Sequence, residues 1–198
     1  MTDKFLKAKH WQLFLLMVGI PVVLQFVLMG KVVANFATQP QPDPIIMFGY
    51  MKFIPALGIL CIGVLFGWFW AVVVGLQNKV PVNVTMKLKK FKVFFIFPLV
   101  YMVLFMTFFS AIMSSLEANN PEPGPELVGG LFAVIVPLHL FAMFCFLYTF
   151  YFVAKTIKTV ELQREVTFSD FAGEFFLLWF YPVGIWILQP KVNKMIEG

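Results

Sequence analysis

Four apolar segments, each long enough to cross a lipid bilayer, constrain this chain more than any other feature of its sequence. A transmembrane helix needs about 20 mostly apolar residues to cross roughly 30 Å of hydrocarbon. Charged residues make up 13% of the chain, roughly half of the share in a typical soluble domain, and the mean hydropathy is +0.88. This composition argues against a soluble enzyme, a nucleic-acid-binding domain and a secreted disulfide-rich protein. The apolar segments run approximately over residues 11–34, 53–76, 93–116 and 127–154.

The sequence therefore predicts an all-α integral membrane protein in which four transmembrane helices form two hairpins. The two helices of each hairpin are joined by an outer loop with alternating prolines, which cannot continue a helix. We expect residues 1–154 to form the transmembrane bundle and residues 155–198 to form a cytoplasmic-side segment. The first apolar segment is longer than the core of about 7 to 15 residues in a secretory signal peptide, so it is expected to remain in the mature protein.

The distribution of Lys and Arg predicts how the chain is oriented in the membrane. Lys and Arg number 15 against 10 for Asp and Glu, and most of the basic residues precede residue 10, follow residue 154 or lie within residues 77–92. Because cytoplasmic loops carry an excess of Lys and Arg, both termini are predicted to be cytoplasmic. The basic clusters lie beside apolar segments, so they predict topology and not a nucleic-acid partner.

The C-terminal segment starts with charged residues and then becomes apolar. Thr167 and Asp170 have the spacing of a helix capping box, so a helix is expected to begin at about Phe168. The apolar run over residues 171–188 is borderline in length for a span, and a proline and a glycine interrupt it. We therefore predict an interfacial or re-entrant helix, bent at residues 181–184, with both ends cytoplasmic. A fifth span is the alternative.

The last apolar run also resembles a known group of proteins. Its residues 175–194 read FFLLWFYPVGIWILQPKVNK, which resembles the ending of small uncharacterised bacterial inner-membrane proteins. The resemblance implies a location in the bacterial inner membrane. It carries no assigned activity, cofactor or site residue with it.

A stripe of small residues follows one face of the second apolar segment. Its members recur at every fourth position, a spacing that lets another backbone approach closely. Such a stripe serves either the packing of helices within one chain or the binding of another subunit. The stripe consists of Gly63, Gly67, Ala71 and Gly75.

Two polar residues within the apolar segments are candidates for an intramembrane site. His139 lies near the middle of the fourth segment, and an ionisable group at that depth is a candidate proton relay or ligand. The chain has only two histidines and no Cys–His cluster of metal-binding spacing, so we predict no cofactor and no metal site. A hydrogen-bonded packing role is the alternative for His139, and Gln25 is expected to form hydrogen bonds between helices.

Two acidic residues and a group of lysines are candidates for sites at the membrane surface. Asp170 and Glu174 lie one turn apart on the same face of a helix, where they either form a paired-carboxylate site or complement the helix N-terminus. The lysines directly precede the third apolar segment, where contact with anionic lipids is worth about 1 kcal/mol for each lysine. They are Lys87, Lys89, Lys90 and Lys92.

These observations favour a protein without catalytic residues that acts as a scaffold or accessory subunit in a larger inner-membrane complex. The expected partners are the lipid bilayer, anionic lipids, and either a membrane protein or further copies of this chain. A small oligomeric transporter or channel, with His139, Gln25 and the small-residue stripe along its path, is one alternative. The other is a membrane enzyme that acts on lipid through Asp170, Glu174 or Arg164.

Overall fold

The computed structural model describes residues 2–38, 54–117 and 125–197. Side chains are described for residues 2–38, 57–108 and 129–197. The proline-rich outer loops, and with them the hairpin connections predicted from the sequence, lie outside these residues. The described residues form eight α-helices: α1 (Thr2–Leu6), α2 (His10–Phe14), α3 (Ile20–Thr38), α4 (Ile54–Gly75), α5 (Leu88–Glu117), α6 (Pro125–Leu162), α7 (Phe168–Trp179) and α8 (Tyr181–Glu197).

Four of the helical stretches are long and apolar enough to cross a membrane, which confirms the predicted fold class. The chain is an all-α multi-pass membrane protein with further helices in its C-terminal part. In the first of these stretches a π-helical turn, Leu15–Gly19, joins α2 to α3. The four stretches are His10–Thr38, Leu57–Lys79, Leu88–Phe108 and Gly129–Leu162.

Helix α6, which contains the fourth span, continues beyond the predicted end of that span at Ala154. Thr156, Ile157 and Thr159 follow that residue and are fully buried. This part of α6 is surrounded by protein and not by lipid. The helix can therefore continue through polar and charged residues that would not lie within a transmembrane span.

The chain divides into two compact units, of which the first comprises Met1–Val84 and Val153–Gly198. In this unit α1 packs against α4 and α8, and α8 also packs against α2 and α7. The core is aromatic and aliphatic, and close packing of such side chains stabilises the unit. Its largest fully buried side chains include Trp68, Phe69, Phe171, Leu178, Ile185 and Leu188.

The second unit, Thr85–Phe152, consists of α5 and most of α6. Aromatic rings fill the contact between the two helices. The ring of Phe94 lies 4.8 Å from that of Tyr148, and the rings of Phe97 and Phe141 meet edge to face at 4.7 Å. Such pairs stabilise beyond the area that they bury.

The N-terminus of α7 matches the prediction from the sequence. Thr167 has extended backbone and α7 begins at Phe168. The Asp170 carboxylate accepts a hydrogen bond of 2.8 Å from the backbone N–H of Thr167 and one of 3.0 Å from its hydroxyl. The predicted capping box is therefore confirmed.

The predicted single bent helix is wrong, because the segment forms two helices. The chain leaves α7 at Phe180, whose backbone angles are φ −91° and ψ 51°, and α8 begins at the next residue. Pro182 then occupies the first turn of α8, where its missing N–H costs no intrahelical hydrogen bond. Gly184 follows, and a Cβ built on it would collide with the carbonyl oxygen of Leu177 in α7.

We predict that Gly184→Ala destabilises the protein, because the added methyl group has to displace backbone of α7. The expected loss is about 1 to 3 kcal/mol, typical of overpacking, seen as a lower midpoint of thermal unfolding in detergent. Gly173→Ala is the matched control, since nothing lies within 4 Å of its Cβ position and alanine favours helix. Equal midpoints for the two variants would contradict the close crossing of α7 and α8.

Candidate functional site

A fully buried amide in α8, that of Gln189, lies at the centre of the first unit. The indole N–H of Trp68, in α4, donates a hydrogen bond to Gln189 Oε1. The Nε2 atom of Gln189 lies 3.1 Å from the carbonyl oxygen of Leu6 and 2.8 Å from that of Ala8. One side chain therefore joins α4 and α8 to the end of α1.

The carbonyl groups of α1 explain why an amide is needed at this position. Helix α1 has five residues, and the last four carbonyls of a helix have no partner within it. The Gln189 amide has two N–H donors, which lie beside the carbonyls of Leu6, the last residue of α1, and of Ala8, which follows the helix. The amide of Asn193 joins the same cluster one turn later. Without such donors, buried carbonyls would destabilise the fold.

Three of the four stripe residues in α4 lie in the first unit's interior or against α1. A Cβ built on Gly67 would lie 2.9 Å from the ring of Phe5, and one built on Gly75 would collide with the Leu6 side chain. Ala71 is fully buried. Gly63 is exposed, with nothing within 4 Å of its Cβ position. The structure therefore shows α1 against this part of the stripe.

An ion-pair cluster joins the end of α6 to both C-terminal helices. Glu174 is 5% exposed, and its Oε1 atom accepts hydrogen bonds of 3.0 Å from Lys191 and 3.3 Å from Lys158. Both lysines also pair with Glu161, at 3.4 Å and 2.9 Å. Burial by itself raises the pKa of Glu174, but the hydrogen bonds from Lys191, the backbone and Lys158 outweigh it, so the pKa lies below its ordinary value.

The second acidic residue has separate partners. Arg164 donates to the Asp170 carboxylate at 2.9 Å, and this hydrogen bond, together with those from Thr167, lowers the pKa of Asp170 to about 2. Each of the two carboxylates therefore has its own partners: Lys158 and Lys191 for Glu174, and Arg164 and Thr167 for Asp170. Their arrangement holds helix ends together and does not show a shared site for a metal or for acid–base chemistry.

The second unit contains a hydrogen-bonded pair within its candidate spans. The Tyr101 hydroxyl, in α5, and His139 Nδ1, in α6, are 3.1 Å apart. The ring of Phe105 stacks on that of Tyr101 at 5.9 Å. His139 itself is exposed on this chain. The partner of His139 was not predicted, because sequence spacing does not show which residue of α5 lies opposite.

The remaining candidate residues lie on exposed positions. Gln25 is exposed in α3. The four predicted lipid-binding lysines are also exposed at the start of α5, and the ammonium group of Lys90 lies 5.3 Å from the ring centre of Tyr148. That distance permits a cation–π interaction. Within the described part of the chain, no three His, Cys, Asp or Glu residues are grouped as metal ligands.

Gln189 was missed as a candidate, although the sequence contains a signal for it. Tyr181, Ile185, Leu188 and Val192 share the buried face of α8 with it, at spacings of three and four residues. A polar residue on such an apolar face requires a hydrogen-bonding partner. The sequence does not show that its partners are the backbone carbonyls of Phe5, Leu6 and Ala8.

We predict that Gln189→Leu lowers stability by roughly 3 kcal/mol or more, because each buried polar group left unpaired costs about 1 to 3 kcal/mol. The measurement is the midpoint of thermal unfolding in detergent, followed by tryptophan fluorescence. Gln25→Leu makes the same chemical change at an exposed position and is expected to leave the midpoint unchanged. A Gln189→Leu variant as stable as wild type would contradict the role of the amide.

We predict that Glu174 makes stability depend on pH in the acid range. Its pKa in the folded state lies below the ordinary 4.5, so its ionised form stabilises the fold above pH 4.5, and this contribution is lost as the pH falls through the folded-state pKa. Glu174→Gln should therefore unfold at a lower temperature at pH 7 and show a smaller decrease between pH 5 and pH 3.

The matched comparison is Asp170→Asn, which keeps Glu174 and its two lysines. The Asp170 contribution is lost only as the pH falls from 3.8 towards about 2. Asp170→Asn should therefore retain the decrease that begins below pH 4.5. If Glu174→Gln retained it as well, the acid sensitivity would belong to another group.

Comparison with known proteins assigns no family to this arrangement. No protein-family model, curated protein or solved structure matches the chain.

Proposed function

We propose that the protein is an accessory or scaffold subunit of a larger membrane protein complex and has no catalytic activity of its own. The observation that carries this proposal is the Tyr101–His139 pair in the second unit. His139 lies 14 residues, or about 21 Å, along α6 from the first residue of that helix, Pro125. It therefore lies well inside the apolar part of a helix long enough to cross roughly 30 Å of hydrocarbon.

The second ring nitrogen of His139, Nε2, favours a protein partner at this position. Tyr101 engages the Nδ1 atom, and the described residues show no hydrogen bond to the second ring nitrogen. A polar group that faces lipid at this depth is costly, whereas a polar side chain from a neighbouring helix would satisfy it. The surface around His139 is apolar, with Leu138 and Phe141 each about half exposed at 40% and 45%.

The low burial of the spans supports the same proposal. Between 11% and 33% of the most apolar part of each span is buried inside the chain. Much of the side-chain surface is therefore left for lipid or for another protein. Besides the single Tyr101–His139 pair, the described contact between α5 and α6 contains ring pairs such as Phe97 with Phe141, while a transport path would need several polar groups along it.

We also propose that the complex lies in a bacterial inner membrane with both termini of this chain cytoplasmic. The basic residues on one side of the predicted spans and the resemblance of residues 175–194 support this. Four exposed lysines then lie beside the cytoplasmic leaflet, where anionic lipids are their proposed partners. They are Lys87, Lys89, Lys90 and Lys92.

We predict that the protein, extracted from its native membrane in mild detergent, purifies in stoichiometric amounts with a larger membrane protein. Particle mass and mass spectrometry of the bound chains are the measurements. His139→Leu should lose most of the partner, because a leucine cannot accept or donate a hydrogen bond. Leu140→Ala is the control, since Leu140 is 62% exposed on an adjacent face and its truncation should leave the partner bound.

Two other outcomes would overturn the proposal. A homogeneous oligomer of this chain alone would favour the small transporter or channel, with flux in proteoliposomes as its test. A monomer without partners would exclude both an accessory subunit and an oligomeric channel.

A further inference from the structure

The charged residues of the two C-terminal helices are confined to one end of the pair. Asp170 and Glu174 lie in the first two turns of α7, and Lys191 lies in the second half of α8. Asp170 forms an ion pair with Arg164, and Glu174 forms ion pairs with Lys158 and Lys191. No Asp, Glu, Lys or Arg occurs between residues 175 and 190, so the end of the pair that contains the turn is uncharged.

The turn carries large apolar side chains that the other described residues leave exposed. They are as exposed as surface residues, although large apolar side chains of this kind are usually found in a protein core. A continuous apolar surface of this kind in a membrane protein requires either lipid or a partner. The exposed side chains are those of Phe176 (55%), Trp179 (53%), Phe180 (64%), Val183 (63%) and Ile187 (44%).

Contacts with α4 indicate how far along a candidate span the turn lies. Lys79, at the end of one span, donates from Nζ to the carbonyl oxygen of Ile196 at 3.4 Å. Eleven residues earlier, the ring of Trp68 lies 6.0 Å from that of Tyr181, the first residue of α8. Trp68 precedes Gly75, the last residue of α4, by seven residues, or about 10 Å. Tyr181 therefore lies about a third of the hydrocarbon thickness away from the end of that helix.

Contacts with the first span support the same depth. The ring of Trp186 lies 4.6 Å from that of His10 and 5.6 Å from that of Phe14. His10 is the first residue of that span. Tyr181 and Phe180 precede Trp186 by more than one helical turn and therefore lie deeper than the beginning of the span.

The backbone of the turn is suited to an environment without water. The N–H of Phe180 donates to the carbonyl of Phe176 at 2.9 Å, and the Phe180 carbonyl accepts from Val183 at 3.0 Å and from Gly184 at 2.9 Å. Pro182 has no N–H to satisfy. Non-helical backbone is tolerated at membrane depth when its polar groups are paired in this way.

We propose that α7 and α8 form a re-entrant hairpin that enters only the leaflet on the side of Lys79. The exposed apolar side chains of the turn contact the acyl chains of that leaflet. The ion-pair end of the hairpin remains at the membrane surface. Lipid, and not a second protein, is the occupant of this face, because the turn lies at the depth of the spans and its uncovered side chains carry no charge.

Site-directed spin labelling in vesicles tests this proposal. The label is placed at Phe180→Cys in a chain whose Cys61 and Cys145 are replaced by alanine, reconstituted in phosphatidylcholine and phosphatidylglycerol. Collision rates with oxygen, which concentrates in hydrocarbon, and with a water-soluble nickel complex are then compared. We expect oxygen to dominate by several-fold at position 180. At Ser169→Cys, an exposed position near the start of α7, the nickel complex should dominate.

Two results would overturn the proposal. Access of the nickel complex at position 180 equal to that at position 169 would place the turn in water. Low collision rates with both reagents would show that protein covers it. Val183→Cys, which is 63% exposed, gives an independent reading if Phe180→Cys does not fold, and its oxygen preference is expected to match.

Discussion

The first unit depends on one buried amide. Gln189 is fully buried, and its two ends contact groups that are far apart in the chain, the indole of Trp68 and the carbonyls at the end of α1. A short helix without a partner for its last carbonyls would not be stable in an apolar core. The amide satisfies these carbonyls, and α1 can then pack on the small-residue face of α4 through Phe5 and Leu6.

Much of the fold follows from local patterns that the sequence shows directly. Apolar length predicts the four spans, and the spacing of Thr167 and Asp170 predicts the start of α7. Long-range features are harder to predict, because a span can be apolar on both its lipid face and its protein face. In α4, Ile59 is 56% exposed and Phe69 is fully buried, although both are large and apolar. The faces, and hence Tyr101 opposite His139, therefore emerge only from the structure.

The break between α7 and α8 shows a second limit of the sequence. Pro182 and Gly184 mark an interruption, but both residues are compatible with the first turn of a new helix. The chain turns one residue before the predicted bend, at Phe180, and Gly184 permits close contact with Leu177. A sequence does not distinguish a glycine that permits close backbone contact from a glycine that bends a helix. The structure distinguishes them by what a Cβ atom would meet.

The connection between Gln189 and α1 also has a consequence in time. Phe5 and Gln189 are 184 residues apart, and a chain grows by about 5 to 20 residues per second. The carbonyls of α1 are therefore made roughly 10 to 40 s before their donor. During that interval the carbonyls of Leu6 and Ala8 lack the donor that Gln189 supplies. The contact between α1 and α8 can therefore form only after nearly the whole chain has been made.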